Sequence, residues 1–260
     1  MTKYLQGIWT ARYFWLHLAN AELKYKFRRS RLGLLWTMVN PLMLMLMITL
    51  IFGNLFDIPT QDFAPYVFSG LIVWEFVLGS ALGGCNSLLV SEAYIKQFRH
   101  PLVIYPLKTA LVQVAIFLIA IQAMFLWVLV TDPTNLLLSI LTLPITAICL
   151  FLLGWPIAIL TSSINLKYRD FVQVLGLAMQ LLWYISPVFF KPEMFKAQEL
   201  VVLLEYNPVT HILNLVRAPL LNGSLPSAVD FGFVFGLIAV LSLLAIWRMN
   251  RVEKTLVYYF

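Results

Sequence analysis

The sequence predicts an all-α membrane protein. It has six transmembrane helices, an N-terminal interfacial helix, a short cytoplasmic helix between spans 2 and 3, and a re-entrant helical hairpin before span 6. Three observations carry this. Composition is 61% hydrophobic and 12% charged, with a mean hydropathy of +0.86; a soluble domain holds about twice that share of charge. The apolar residues fall into long runs separated by short polar segments. Fifteen of the 18 Lys and Arg flank alternate ends of those runs, the asymmetry that fixes orientation in a bilayer. The 260 residues leave no room for a second domain of useful size, so residues 1–260 read as one transmembrane domain.

The chain is organised around Lys24 to Pro41. Five cations, Lys24, Lys26, Arg28, Arg29 and Arg31, fall within eight residues and lead without a spacer into an uncharged run from Gly33 to Phe56. That run of 24 residues is about 36 Å long as a helix, enough to cross a hydrocarbon core with some tilt. Such a cluster serves either as a topological anchor or as a functional basic surface. Residues 1–32 are assigned to the cytoplasmic side, since Lys and Arg are retained there. Within them, residues 3–28 place Gln6, Thr10, His17, Lys24 and Arg28 on one polar stripe. Leu5, Ile8, Trp9, Leu16, Leu23 and Phe27 lie opposite, as suits a helix in the interface plane.

Span 1 covers 34–56, and the acidic loop from Asp57 to Asp62 follows. Span 2 covers 65–90 with one ionisable residue, Glu75. The segment from Ser91 to His100 reads as a helix, with Ser91 as its cap and Pro101 as its stop. Span 3 covers 109–131, and Asp132 to Asn135 form a tight turn. Span 4 covers 136–163, the polar loop from Asn165 to Asp170 comes next, and span 5 covers 171–190. Residues 191–223 contain two apolar helical patterns of about 14 residues each, too short to span, broken at Asn207-Pro208. They read as a hairpin dipping into the membrane. Pro192 and Glu193 mark its start, and Asn222-Gly223 its end. Span 6 covers 230–247. Only Lys191, Lys196 and Arg217 fall opposite the other cations, which puts both termini in the cytoplasm.

The net charge of +6 sits at membrane flanks, favouring anionic lipids over nucleic acid as partners. Cys85 and Cys149 lie in separate apolar runs without metal or redox spacing and read as buried hydrophobes. The late, long first span argues against a cleaved signal peptide. No catalytic set is present: His17, His100 and His211 are scattered, and neither an acidic prenyltransferase motif nor a GxSxG motif occurs. Without a P-loop sequence the chain has no ATP site of that kind. It reads as a conduit or scaffold, not an enzyme.

Three features could carry function. Glu75 is a charge near mid-span, costly unless solvated or paired; it faces a polar conduit or is a protonated carboxyl bonded between helices. Trp36, Trp74, Phe76, Trp127, Trp155, Trp183, Tyr184, Phe189 and Phe190 form either an interfacial belt or faces on which sugar rings could stack. The helix from Ser91 to His100 is too polar to insert, and Glu92, Tyr94, Lys96, Phe98 and Arg99 suit a docking surface for a cytoplasmic partner.

The stretch from Lys24 to Pro41 resembles the start of span 1 in ABC-transporter permeases that export O-antigen, capsular polysaccharide or teichoic acid. The resemblance continues in Phe68-Ser-Gly-Leu-Ile-Val-Trp74, Pro101-Leu-Val-Ile-Tyr-Pro106, Ser186-Pro-Val-Phe-Phe190 and the run from Asn207 to Arg217. It implies a homodimeric permease of a bacterial inner membrane, bound to two copies of a separate ATPase subunit, which would hold ATP and Mg. The helix from Ser91 to His100 would be the coupling helix. Arg28, Arg29 and Arg31, with Lys24 and Lys26, would recruit the diphosphate of an undecaprenyl-linked glycan, guanidinium pairing bidentately with phosphate. The channel would run between protomers along spans 1, 2 and 5. Trp36, Asn40, Glu75, Trp183, Tyr184, Phe189, Phe190, Asn207 and Arg217 would belong to the channel or its gate. Glu75 departs from the neutral polar residue more usual at its position. Two other readings are an exporter of small lipophilic compounds or lipids with this architecture, and a membrane-embedded glycosyl- or prenyl-transferase.

Overall fold

The computed structural model describes residues 2–28, 30–98, 100–131, 133–193 and 201–255. The N-terminal segment forms two helices, α1 (Thr2–Thr10) and α2 (Arg12–Phe27), rather than one. The break at Ala11 is bridged by the Trp15 indole, whose Nε1 donates to the Ile8 carbonyl at 2.9 Å. Then come α3 (Gly33–Leu55), α4 (Thr60–Val90), the six-residue α5 (Glu92–Gln97), α6 (Ile104–Thr131), α7 (Thr134–Asn165) and α8 (Phe171–Tyr184). Short α9 (Val201–Glu205), α10 (Pro208–Leu221) and α11 (Ala228–Thr255) complete the described elements.

Five helices, α3, α4, α6, α7 and α11, are long and apolar enough to cross a membrane; α8 is apolar but has 14 residues. At about 21 Å it falls short of a roughly 30 Å core. The predicted span 5 of 171–190 therefore ends as helix at Tyr184, and Ile185 to Phe190 turn away as irregular chain. Pro187 has no N–H to continue the helix. The predicted helix from Ser91 to His100 also shortens. Phe98 is extended, and the Ser91 side chain makes no capping bond. The first helix predicted within 191–223 falls largely on 194–200, outside the described residues, as does Asp132 of the predicted turn. The second is α10, which ends where expected, with Gly223 at φ +58°.

Helix α4 is the hub. Its apolar window is 72% buried, against 22% in α3 and 17% in α11. Phe63, Val67, Leu71, Phe76, Phe117, Leu150, Leu153 and Leu213 build the main core between α4, α6, α7 and α10. A second core lies at one end, where Leu18 of α2 meets Leu88, Ile104, Tyr105, Ile159, Leu166, Met249 and Val252. The N-terminal segment, the chain between α4 and α6, the chain after α7 and the C-terminal helix end thus meet at one pole. This pole carries most of the Lys and Arg in the sequence.

Lys108 is tied there rather than exposed. Its Nζ lies 2.8 Å from the Glu22 carboxylate, with 9% of the side chain accessible, clamping α2 to α6.

Candidate functional site

The basic segment is fixed to the start of α3 by a small polar knot. Ser30 Oγ accepts from the Gly33 amide at 3.2 Å and from Trp36 Nε1 at 3.0 Å. Gly33 sits at φ +52°, a conformation side-chain-bearing residues seldom adopt. Lys24, Lys26, Arg28 and Arg31 are exposed around the knot; Arg29 lies outside the described residues.

Directly beside it is a cavity of about 330 Å³ lined by Lys26, Trp36, Thr37, Asn40, Glu75 and Phe117, among others. Residues predicted separately as recruitment, channel and mid-span charge are therefore neighbours. Around Glu75 the chain from Phe63 to Val77 is otherwise buried or half-buried, and Glu75 alone stands open. No protein hydrogen bond is described to its carboxylate, and Lys26 supplies the cation of the cavity. Pro41 also lines it, and lacking an N–H it leaves the Thr37 carbonyl without its i→i+4 donor. The cavity thus offers a carboxylate, an ammonium, an amide and a backbone acceptor within apolar walls.

On α5, Glu92 and Lys96 pair at 2.5 Å across one turn. Tyr94 and Phe98 are each more than two-fifths exposed. They also lean on Phe14 of α2, with centroids at 5.9 and 5.7 Å. The surface is therefore shared with the N-terminal helix. Arg99 lies outside the described residues.

At the other pole, the break after α8 gathers several of the residues predicted for the channel or its gate. Trp183 packs on Tyr184 and Phe189, and Phe189 on Phe190. Phe52 of α3 joins them at 5.4 Å from Phe189, a partner hidden in the sequence by its ordinary place in an apolar run. Trp74 and Phe76 belong instead to the core, and Trp155 donates to the Val103 carbonyl.

Asn207 has two jobs. Its Oδ1 caps α10 by accepting from the Val209 amide, and its Nδ2 donates to the Ile185 carbonyl and Ser186 Oγ. Asn followed by Pro is a cap followed by a first-turn proline, a signal present in the sequence beside the helix-break reading.

Arg217 is 6% exposed. It donates to the carbonyls of Pro187 at 2.7 Å, Val188 at 2.6 Å and Tyr66 at 3.0 Å, and its carbon lies 3.7 Å from the Tyr66 ring centroid. Among the described residues it forms no ion pair. The Tyr66 hydroxyl meets the carbonyls of Pro187 and Phe190. Gly70 makes the approach possible, since a Cβ there would collide with the Val188 carbonyl.

Sequence reasoning missed a second tie. His211 Nδ1 lies 2.8 Å from Asp230 Oδ1, which also accepts from Asn214; Asp230 Oδ2 accepts from Ser227. This joins α10 to α11.

A basic mouth at the start of α3, a helix α8 that breaks after Tyr184 and the short α9 and α10 before α11 are the features to set against known proteins. The family model described as ABC-2 type transporter matches residues 13–221. The chain belongs to the ABC-2 type transporter family. This ABC-2 transporter chain is 24% identical over 208 residues to an O-antigen export system permease protein RfbA of Klebsiella pneumoniae, covering 80% of each. It is 21% identical to the RfbA of Myxococcus xanthus, over 98% of this chain and 96% of that one. It is 23% identical to the polysialic acid transport protein KpsM of Escherichia coli, over 88% and 90%. All three relatives are described as transport or export proteins. The residues of the mouth, of the break and of α5 all lie inside the matched region.

Proposed function

We propose that this ABC-2 chain is the channel-forming permease of an ATP-driven exporter of undecaprenyl-diphosphate-linked polysaccharide, O-antigen first among the candidates. It works as a homodimer in the bacterial inner membrane, with both termini cytoplasmic, and a separate ATPase subunit bound to each copy supplies ATP hydrolysis.

The observation that carries the reading is the strip left open between the two poles. Along α3, Met43, Leu46, Met47, Leu50 and Ile51 are exposed, and along α8, Val174, Leu177 and Leu181. Only Met179 of α8 is buried. A membrane helix so lightly packed on its own protomer suits a face completed by a second copy, because membrane helices associate through packing they cannot obtain from lipid. Glu75 and the basic mouth adjoin the strip at one end and the aromatic cluster at the other. Gln173 and Gln180, seven residues apart and both exposed on α8, add polar groups suited to hydroxyl-rich cargo.

In this mechanism the carrier diphosphate meets Lys24, Lys26 and the arginines at the mouth of α3. The glycan enters beside Glu75 and Asn40. Movement of α5 under the ATPase shifts α4 and α2 together, since Tyr94 and Phe98 rest on Phe14.

The test is deletion and repair. Removing the gene is expected to abolish surface polysaccharide, and the wild-type chain to restore it and copurify with an ATPase. Changing Arg28, Arg29 and Arg31 to glutamine is expected to cut export at least tenfold with normal insertion. Normal surface polymer in that variant would reduce the cluster to a topology signal. Unchanged polymer in the deletion strain would end the polysaccharide reading.

A further inference from the structure

At the pole away from the basic segment lies an open cavity of about 830 Å³, far roomier than the one beside Glu75. Its walls come from the start of α4, the end of α6, the start of α7, Lys191 and the residues after α10. Among the described lining residues the polar side chains are the amides of Gln61, Asn135 and Asn222, the hydroxyl-bearing Tyr66 and Thr131, the carboxylate of Asp62 and the ammonium of Lys191. Trp127 is half-buried in the wall, and its indole N–H has no protein partner among the described residues.

Tyr66 forms a rigid back wall. Arg217 covers its ring, and its hydroxyl is held by the chain after α8.

We infer that this cavity is a binding site for uncharged sugar units of the emerging polymer. The lining decides the class of ligand. Among the described residues one carboxylate and one ammonium line it, without the surplus positive charge that a phosphate or an acidic headgroup needs. Side-chain amides both donate and accept, matching hydroxyls that do the same. The indole offers the flat apolar surface that the C–H face of a pyranose covers, with a polar edge beside it. The volume lies within the roughly 300–1,000 Å³ of small-molecule sites, so the cavity admits more than one sugar ring. Its site deepens the export reading and rests on it. A glycan leaving the aromatic cluster at Phe189 would find it on the same pole, where weak sugar binding would discourage the chain from sliding back.

The experiment uses the transporter purified with its ATPase in lipid nanodiscs. The probe is short, carrier-free oligosaccharide released from the host's own surface polymer, read by saturation transfer from protein to sugar protons. Wild-type protein is expected to bind, Trp127→Ala to bind about tenfold more weakly, and the exposed Gln61→Ala about threefold more weakly. The latter variant removes no buried contact and guards against misfolding as the cause. Inorganic phosphate is expected not to compete. Absent binding, binding unchanged in both variants, or displacement by phosphate would each overturn the assignment. A deletion strain that loses surface polymer while the purified wild type binds no sugar sinks this site alone. A deletion strain that keeps its polymer sinks the export reading and this site with it.

Discussion

Arg217 and Glu75 are both ionisable residues set among apolar helices, and they solve the solvation problem in opposite ways. Arg217 is buried and replaces water with backbone: three carbonyls and the face of Tyr66 surround the guanidinium. Those carbonyls lie largely in the irregular chain after α8, where no helical N–H reaches them, so cation and acceptors satisfy each other. Replacing Arg217 with Met strands the acceptors at about 1–3 kcal/mol each. Arg217→Lys should recover little, because its three donors sit on one nitrogen and cannot reach acceptors spread around three guanidinium nitrogens, nor stack a flat cation on Tyr66. Thermal unfolding in detergent is expected to rank wild type well above Lys, and Lys near Met. A Lys variant as stable as wild type would mean that charge alone matters. Glu75 faces an open cavity and holds no described protein bond, so Glu75→Gln should change stability by only about 0.5 kcal/mol. Export of polymer, measured on the cell surface, is expected to change several-fold. Unaltered export would remove Glu75 from the path. The sequence placed Arg217 at the channel or gate and set Glu75 against a polar conduit as one of two readings, but neither set of partners was legible. The carbonyls around Arg217 come from two other segments, and Lys26 and Glu75 are too distant along the chain for any pattern to join them.

Among the elements, the pair α8 and α10 shows where hydropathy stops being informative. The apolar run continues through Phe190, so a window sees one span, whereas the helix ends at Tyr184. What ends it is Pro187 together with partners brought from elsewhere, Asn207, Arg217 and Tyr66. The long helices, the stop at Asn222-Gly223 and the polar segment between α4 and α6 were legible, because each rests on local chemistry that the residues carry themselves. The tie between His211 and Asp230 was not, since it depends on how α10 folds back on α11.

Asn207 gives this scale its prediction. Asn207→Asp keeps the oxygen that caps α10 but loses the Nδ2 donor to Ile185 and Ser186. Asn207→Ala loses both. The Ala variant is expected to cost about 1–2 kcal/mol through the cap, plus about 1 kcal/mol for the lost link. Proteolysis or hydrogen exchange at the break after α8 should therefore rise in both variants, and exchange in the first turn of α10 in Ala alone. Equal exchange at the break in wild type and Asp would show that the link does not hold it.

For the whole molecule, the two poles carry different chemistry, and the strip between them is left uncovered by the described residues. Core residues concentrate on α4, α6, α7 and α10, whereas α8 is anchored through Met179, Leu175, Leu182 and Trp183 and turns Val174, Leu177 and Leu181 outward. Lipid could cover that outward face, or a second copy could, and the two differ in what they bring near Leu177. The native cysteines leave the experiment clean: Cys85 is 0% exposed and Cys149 2%, so neither should crosslink. Leu177→Cys on α8 and Met47→Cys on α3 are expected to form a dimer on mild oxidation in native membranes. Leu141→Cys, equally exposed but on α7, is not. A disulfide needs Cα atoms within about 7 Å, so a positive result places the two α8 or α3 faces across a shared axis rather than merely nearby. Crosslinking through α7 and not through α8 or α3 would move the partner to the opposite face. The open strip would then be lipid-facing, and the proposed channel would lose its walls.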